Sequence, residues 1–288
     1  MAITIAQIKE LREATAAGMG ACKEALTATN GDMQEAIKYL REKGLAVAAK
    51  RVDKESKQGI IALAQAADGA SMALAEVNCE TDFVAKTEAF IKFVDDAAKV
   101  ALEGKDIEQT LNDDYKMLLT KTGENVKIRR SERYQLEGTG ILSGYIHMGG
   151  KIGVLVEVGC EKAETAASPD FDALVFDIAL QIAGAAPRWL KRDEVPQEVI
   201  DSETELNRKK LEETEREKGG KPKPAEILQK IAAGQINKFF GEACLVEQQF
   251  VKNEPGVKKT VQQVIDETAK KLGDKIAIRR YARFQLGA

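Results

Sequence analysis

Apolar residues follow two kinds of pattern along the chain. Over the first fifty positions they recur every three or four residues, the spacing that gathers them on one face of a helix. Ile5, Ile8 and Leu11 form the first stripe, with Thr4 and Gln7 spaced as a capping box ahead of them. Gly18 ends that segment, Met19, Cys22 and Leu26 mark a second stripe, and Asn30-Gly31 breaks it. Asp32 and Glu35 cap a third segment carrying Ile37 and Leu40, which Gly44 is expected to close. Three helices within about forty residues predict a small bundle near the lower limit of independent stability. The polar stretch that follows, residues 50–58, reads as a linker.

Beyond it the apolar runs shorten and turn signals separate them. Residues 60–65 and 72–78 flank Asp68-Gly69, and residues 141–148 and 151–158 flank Gly149-Gly150, so each pair predicts a hairpin. Helical spacing follows each hairpin, over 83–102 and 171–183. The segment Lys121-Thr-Gly-Glu-Asn-Val-Lys-Ile-Arg-Arg-Ser-Glu-Arg-Tyr-Gln-Leu136 recurs as Lys271-Leu-Gly-Asp-Lys-Ile-Ala-Ile-Arg-Arg-Tyr-Ala-Arg-Phe-Gln-Leu286, identical at eight of sixteen positions. A weaker match joins residues 69–79 to 150–160 in the same order, which implies a duplicated unit. The second copy is longer. Residues 195–218 and 225–240 read as two helices joined by a Gly/Pro turn, and 14 of the 24 residues from 201 to 224 are charged, seven of each sign. Val199, Leu206 and Leu211, set against Ile227 and Ile231, give this hairpin only a thin apolar stripe. The expected class is α+β: a three-helix N-terminal module over 1–51, a linker over 52–58, and antiparallel β/α core repeats over 59–140 and 141–288. The second repeat carries the helical hairpin at about 194–241.

Composition narrows the function. The chain has 288 residues, 44% hydrophobic and 31% charged, with a formal net charge of −3. That is an ordinary globular balance, and it argues against nucleic acid as the main partner. No apolar run approaches the ~18 residues of a membrane span. The N-terminus has no basic stretch followed by an apolar core, so no signal peptide is expected and a cytoplasmic location is. The four cysteines, Cys22, Cys79, Cys160 and Cys244, form no CxxC pair, and His147 is the single histidine. This excludes a conventional zinc cluster and predicts buried, reduced thiols. There is no GxxxxGK[ST] motif and no acidic pair with metal-loop spacing. The expectation is therefore no catalysis, no cofactor and no metal of its own.

Four features remain as candidates. His147 reads first as a polar strand residue beside a turn, and second as a base lacking a suggested partner. Arginines 129, 130, 133 and 279, 280, 283 read first as salt-bridged strand surface, and second as a phosphate-binding stripe for an RNA adaptor. The charged hairpin reads as a solvated arm or as a docking lever. In Asn78-Cys-Glu-Thr-Asp-Phe-Val-Ala-Lys86, Thr81 can cap a helix and place Asp82 and Phe83 in its first turn. Phe83, Phe90 and Val94 fall near one face, so core packing comes first, with an exposed aromatic anchor as the alternative.

Two segments carry a resemblance. Leu11-Arg-Glu-Ala-Thr-Ala-Ala-Gly-Met-Gly-Ala-Cys-Lys-Glu-Ala-Leu26 and Glu76-Val-Asn-Cys-Glu-Thr-Asp-Phe-Val-Ala-Lys86 resemble the two signatures of the elongation factor Ts family, in the right order. The resemblance implies a guanine-nucleotide exchange factor for elongation factor Tu. Such a factor binds the GDP form, loosens Mg²⁺ and GDP, and leaves an empty GTPase for GTP. It implies that Thr81, Asp82, Phe83 and Val84 dislodge Mg²⁺ from the partner, with Phe83 the wedge. It places Arg12, Met19 and Lys23 on an N-terminal contact surface, and Gly123, His147 and Val251 among core contacts. Gly20 departs from the pattern, standing where the family often has a second methionine. The family's further C-terminal helical module, present in some members, is not expected here.

Overall fold

A computed structural model describes residues 3–15, 17–49, 54, 56–217 and 225–288. Positions 50–53 and 55 of the expected linker, and the hairpin turn at 218–224, lie outside the described residues. The class is α+β: helices α1 (Ile5–Thr15), α2 (Met19–Ala28) and α3 (Met33–Ala49) precede two three-stranded sheets with interspersed helices. The chain forms two compact units. One comprises Met1–Gln135, Gly144–Leu155 and Phe284–Ala288, the other Leu136–Ser143 and Val156–Arg283.

In the first unit the helix punctuation works as the residue types dictate. The Gln7 N–H donates to Thr4 Oγ1 at 3.2 Å, and the Thr4 N–H donates to Gln7 Oε1 at 3.0 Å, closing a reciprocal cap on α1. Asn30 (φ 52°) and Gly31 (φ 87°) turn the chain through the left-handed region, and Asp32 Oδ1 then accepts the Glu35 N–H at 2.9 Å. The stripes meet in a shared interior of Leu11, Cys22, Ala25, Leu26, Ala36 and Leu40.

Gly44 does not stop the third helix, which continues to Ala49. Its role is close approach. A Cβ at Gly44 would meet Thr120 Oγ1 at 2.1 Å and the Thr120 backbone at 3.0 Å. The same hydroxyl donates to the Leu40 carbonyl at 3.0 Å, so glycine lets α3 lie directly on the later helix that carries Thr120.

The first sheet has the antiparallel order β1 (Gln58–Gln65), β2 (Ser71–Cys79), β3 (Lys127–Gln135). Its central strand β2 is buried at every position. The expected helix over 83–102 is interrupted: α4 (Asp82–Ala85) stops, and α5 (Glu88–Leu102) restarts after Thr87. Thr87 is extended (φ −74°, ψ 142°), accepts the Phe90 N–H, and donates its hydroxyl to the Val84 carbonyl at 2.8 Å. A threonine that caps the second helix thus ends the first. Phe90, Phe93, Val94, Ala97 and Ala98 of α5 cover Ala73, Ala75 and Val77 of β2. The short α6 (Ile107–Thr110) and then α7 (Asn112–Thr122), which bears Thr120, complete this side.

The second sheet has the order β4 (Gly140–His147), β5 (Ile152–Cys160), β6 (Ile276–Gln285). Helices α8 (Ala163–Ala166) and α9 (Pro169–Ala185) follow β5. The charged arm is the helix pair α10 (Gln197–Glu217) and α11 (Ala225–Ala243), rooted on an apolar cluster of Val195, Phe239, Phe240, Ala243 and Cys244. Helix α12 (Val261–Leu272) opens on a full capping box between Thr260 and Gln263.

Both copies of the Ile-Arg-Arg strand answer a fully buried carboxylate. In the first unit, Arg130 Nε donates to Glu76 Oε2 at 2.7 Å, and Arg129 Nε lies 3.8 Å from Oε1. In the second, Glu157 accepts Arg279 Nη1 at 3.0 Å and Arg280 Nε at 2.8 Å. Four of the six strand arginines are thus ion-pair partners, the first of their two readings, while Arg133 and Arg283 donate to the Leu102 and Ala183 carbonyls.

Two glycine substitutions test the packing account. Gly44→Ala is expected to destabilise by about 1–3 kcal/mol, the range for overfilled contacts. Gly184→Ala, in α9 with nothing within 4 Å of the new Cβ, should stabilise by up to about 1 kcal/mol. Denaturant melts of the two variants check the opposite signs.

Candidate protein-binding site

Strand β2 ends at Cys79, and the chain reverses into α4 through Glu80 and Thr81. Thr81 is extended (φ −120°, ψ 153°) and caps α4, its Oγ1 accepting the Val84 N–H at 3.3 Å. Asp82 in the first turn pairs with Lys86 one turn on, at 2.6 Å. That ammonium group, by direct hydrogen bond, holds the Asp82 carboxyl below its ordinary value.

This short helix divides its residues. Ala85 is buried, and Val84 packs against the first unit's core. Phe83 points away and is 79% exposed. The core reading of its helical spacing therefore fails. The interruption at Thr87 breaks the periodicity that would have placed Phe83 on one face with Phe90 and Val94.

The turn is tied down from several sides. The Cys79 thiol donates to the Thr81 carbonyl at 3.1 Å. Glu124 accepts the Glu80 and Thr81 N–H groups, each at 3.1 Å, and the Thr81 hydroxyl at 2.6 Å. These bonds also join the Phe83 turn to Gly123, the residue before Glu124. Gly123 is the left-handed C-cap of α7 (φ 64°), a conformation glycine adopts without strain.

The remaining candidates occupy surface positions. Met19 opens α2 and is half exposed, Lys23 follows one turn later, and Arg12 is exposed in the last turn of α1. His147 ends β4, half-buried, its Nδ1 3.0 Å from the Tyr145 hydroxyl. That supplies a polar partner on its own strand. Val251, in the second unit, is 52% exposed. Its N–H donates to Oε1 of the fully buried Gln181 at 2.7 Å. Thr81–Val84 and Gly123 are brought together; Met19 and Lys23 share α2, and Arg12, His147 and Val251 lie elsewhere.

A family model described as Elongation factor TS matches residues 80–288. The chain is 43% identical over 301 residues to elongation factor Ts of Trichlorobacter lovleyi, covering 100% of this chain and 93% of that one. It is 42% identical over 298 residues to elongation factor Ts of Nitratiruptor sp., covering 100% and 94%. It is also 42% identical over 291 residues to elongation factor Ts of Symbiobacterium thermophilum, covering 99% and 92%. The chain belongs to the elongation factor Ts family. That family places it among the elongation factors of translation. Among the described residues, no helix is long and apolar enough to cross a membrane.

Sequence reading missed two residues at this family member's surface and turn. Met148 (φ 51°), next to His147, is an exposed apolar side chain in a left-handed turn position; a methionine before Gly-Gly gave no sign of it. Glu124 is the second. It lies 43 residues from Thr81, and only tertiary folding shows what it holds.

The thiol beside this turn reports on its rigidity. All four cysteines are buried and unpaired by disulfides. Burial, with the Glu124 carboxylate adding to it, pushes the Cys79 thiol up to about 12. At pH 8 its thiolate fraction is then on the order of 10⁻⁴, so alkylation should run at least about a thousandfold slower than in the unfolded chain. Mass mapping of iodoacetamide-treated protein measures this. Labelling of Cys79 at the unfolded rate would mean that the turn opens freely.

Proposed function

We propose that this chain is the guanine-nucleotide exchange factor of elongation factor Tu. It binds the GDP form, promotes release of Mg²⁺ and GDP, and leaves a nucleotide-free GTPase that GTP then fills. No covalent bond is made or broken, and the work is done in the compartment of translation, the cytoplasm. The observation that carries the reading is a large aromatic ring presented to solvent on a turn that hydrogen bonds immobilise.

The energetics follow from linkage. A factor weakens GDP binding by as much as it prefers the empty GTPase over the loaded one, and each tenfold loss requires ~1.4 kcal/mol of that preference. Burying a phenylalanine that was exposed is worth roughly 1.5–3 kcal/mol. Phe83 therefore accounts for about one to two decades if the ring is buried only in the empty complex. Preorganisation matters because an anchor that needs no ordering loses less entropy on docking. Asp82, adjacent and anionic, is placed to compete for the partner's Mg²⁺ region, and Thr81 and Val84 set the frame. Arg12, Met19 and Lys23 offer a second grip from the N-terminal helices. Gly123, His147 and Val251 are the proposed core contacts. Holding the partner at several points lets binding energy act on the nucleotide site.

The RNA-adaptor reading has weaker support, because Arg129, Arg130, Arg279 and Arg280 already pair with the buried carboxylates Glu76 and Glu157.

Replacing the ring tests the proposal. Phe83→Ala should melt like the wild type, since the side chain is exposed, and should slow release of fluorescent GDP from elongation factor Tu by about one to two decades. Release at the wild-type rate would end the wedge assignment.

A further inference from the structure

Helix α4 has four residues, too few to hold itself by propagation, since helix formation is unfavourable until several bonds have formed. Something outside it must set its direction. The contacts name Glu124. One carboxylate oxygen accepts the Glu80 and Thr81 N–H groups, both at 3.1 Å, and the other accepts the Thr81 hydroxyl at 2.6 Å. The grip is returned, with Glu80 Oε1 accepting the Asn125 N–H at 2.7 Å.

The hydroxyl geometry makes this more than a tether. Thr81 has one hydroxyl proton, and Glu124 takes it. The oxygen lone pairs are thereby left to accept the Val84 N–H, which is the N-cap bond of α4. Glu124 thus orients the cap, the cap orients α4, and α4 carries Phe83. We infer that Glu124 is a positioning residue for nucleotide exchange: it fixes the angle at which the Phe83 ring is presented to the GTPase. The inference rests on the assignment of Phe83 as the wedge.

The second unit supplies an internal comparison. Asp274 stands at the repeat position of Glu124, and its carboxylate accepts the Glu161 and Lys162 N–H groups at 3.3 and 3.0 Å. The turn it holds leads into α8, where the position matching Phe83 is the exposed Glu164. The latch belongs to both repeats, and the aromatic ring to the first alone.

The test is a double-mutant cycle on exchange with elongation factor Tu loaded with fluorescent GDP. Glu124→Gln keeps the side chain's size but turns an amide NH₂ toward a cluster of donors. It should slow GDP release roughly tenfold, the weight of a hydrogen bond to a charged acceptor. Amide hydrogen exchange at Thr81 and Val84 should rise in the same variant. In the Phe83→Ala background, Glu124→Gln should change the release rate by less than about twofold, because residues acting through one another are non-additive. Three results separate the possibilities. If Phe83→Ala alone leaves release unchanged, the wedge assignment fails. If Phe83→Ala slows release and Glu124→Gln does not, the positioning role fails. If the two effects multiply, Glu124 acts by another route and the inference is overturned. Should Glu124→Gln fold poorly, Glu124→Ala, which removes the acceptors without turning a donor toward the turn, takes its place in the same cycle with the same three outcomes.

Discussion

A carboxylate cut off from water stays charged only with a cation or hydrogen-bond donors beside it, and the central strand of each sheet carries one such group. Glu76 and Glu157 are fully buried in β2 and β5. Stripping water from such a group costs several kcal/mol, which an ion pair of good geometry roughly offsets. The net gain in stability is therefore small. Strand β2 reads Met-Ala-Leu-Ala-Glu-Val and is buried on both faces, so alternation of polar and apolar residues cannot set its register. Glu76 faces Arg130 in the observed register, next to the register shift between Glu76 and Val77, and offers the one charged mark on this strand. The Gly287 N–H, donating to Glu76 Oε1 at 3.2 Å, ties the last residues of the first unit to the same carboxylate.

With the register of β2 set, the place where it ends is set too. Cys79, the last strand residue, passes the chain into a turn whose backbone N–H groups must find acceptors away from the sheet. Glu124, in the turn between α7 and β3, provides them. A scaffold made of packed strands and helices thus delivers one small turn in a defined position, and rigid elements place a contact side chain better than a free loop does.

The two repeats keep this frame and differ in what it carries. Buried glutamate, paired arginines, a left-handed glycine at 123 and 273, and an acidic latch one residue later occur in both. The turn of the first unit displays Phe83 and that of the second Glu164. Duplication conserves what packing requires and leaves free the positions that packing does not touch.

The sequence alone determined the helices of the N-terminal segment, the hairpins, the repeat and the α+β class. These depend on local caps, turn residues and spacing, all of which act within a few positions. It also pointed to the segment around Phe83 through its resemblance to a family signature. Helical spacing placed that ring in the core, and gave Gly44 the part of a helix stop. The Gly44 reading was overturned by a neighbour distant in sequence, and the Phe83 reading by a local helix cap. Thr120 needs Gly44 for contact, and Thr87 breaks the helix so that Phe83 leaves the buried face. The arginine stripe could not be read without Glu76 and Glu157, nor the turn without Glu124. Exposure and charge pairing are properties of what lies across space, so spacing along the chain does not contain them.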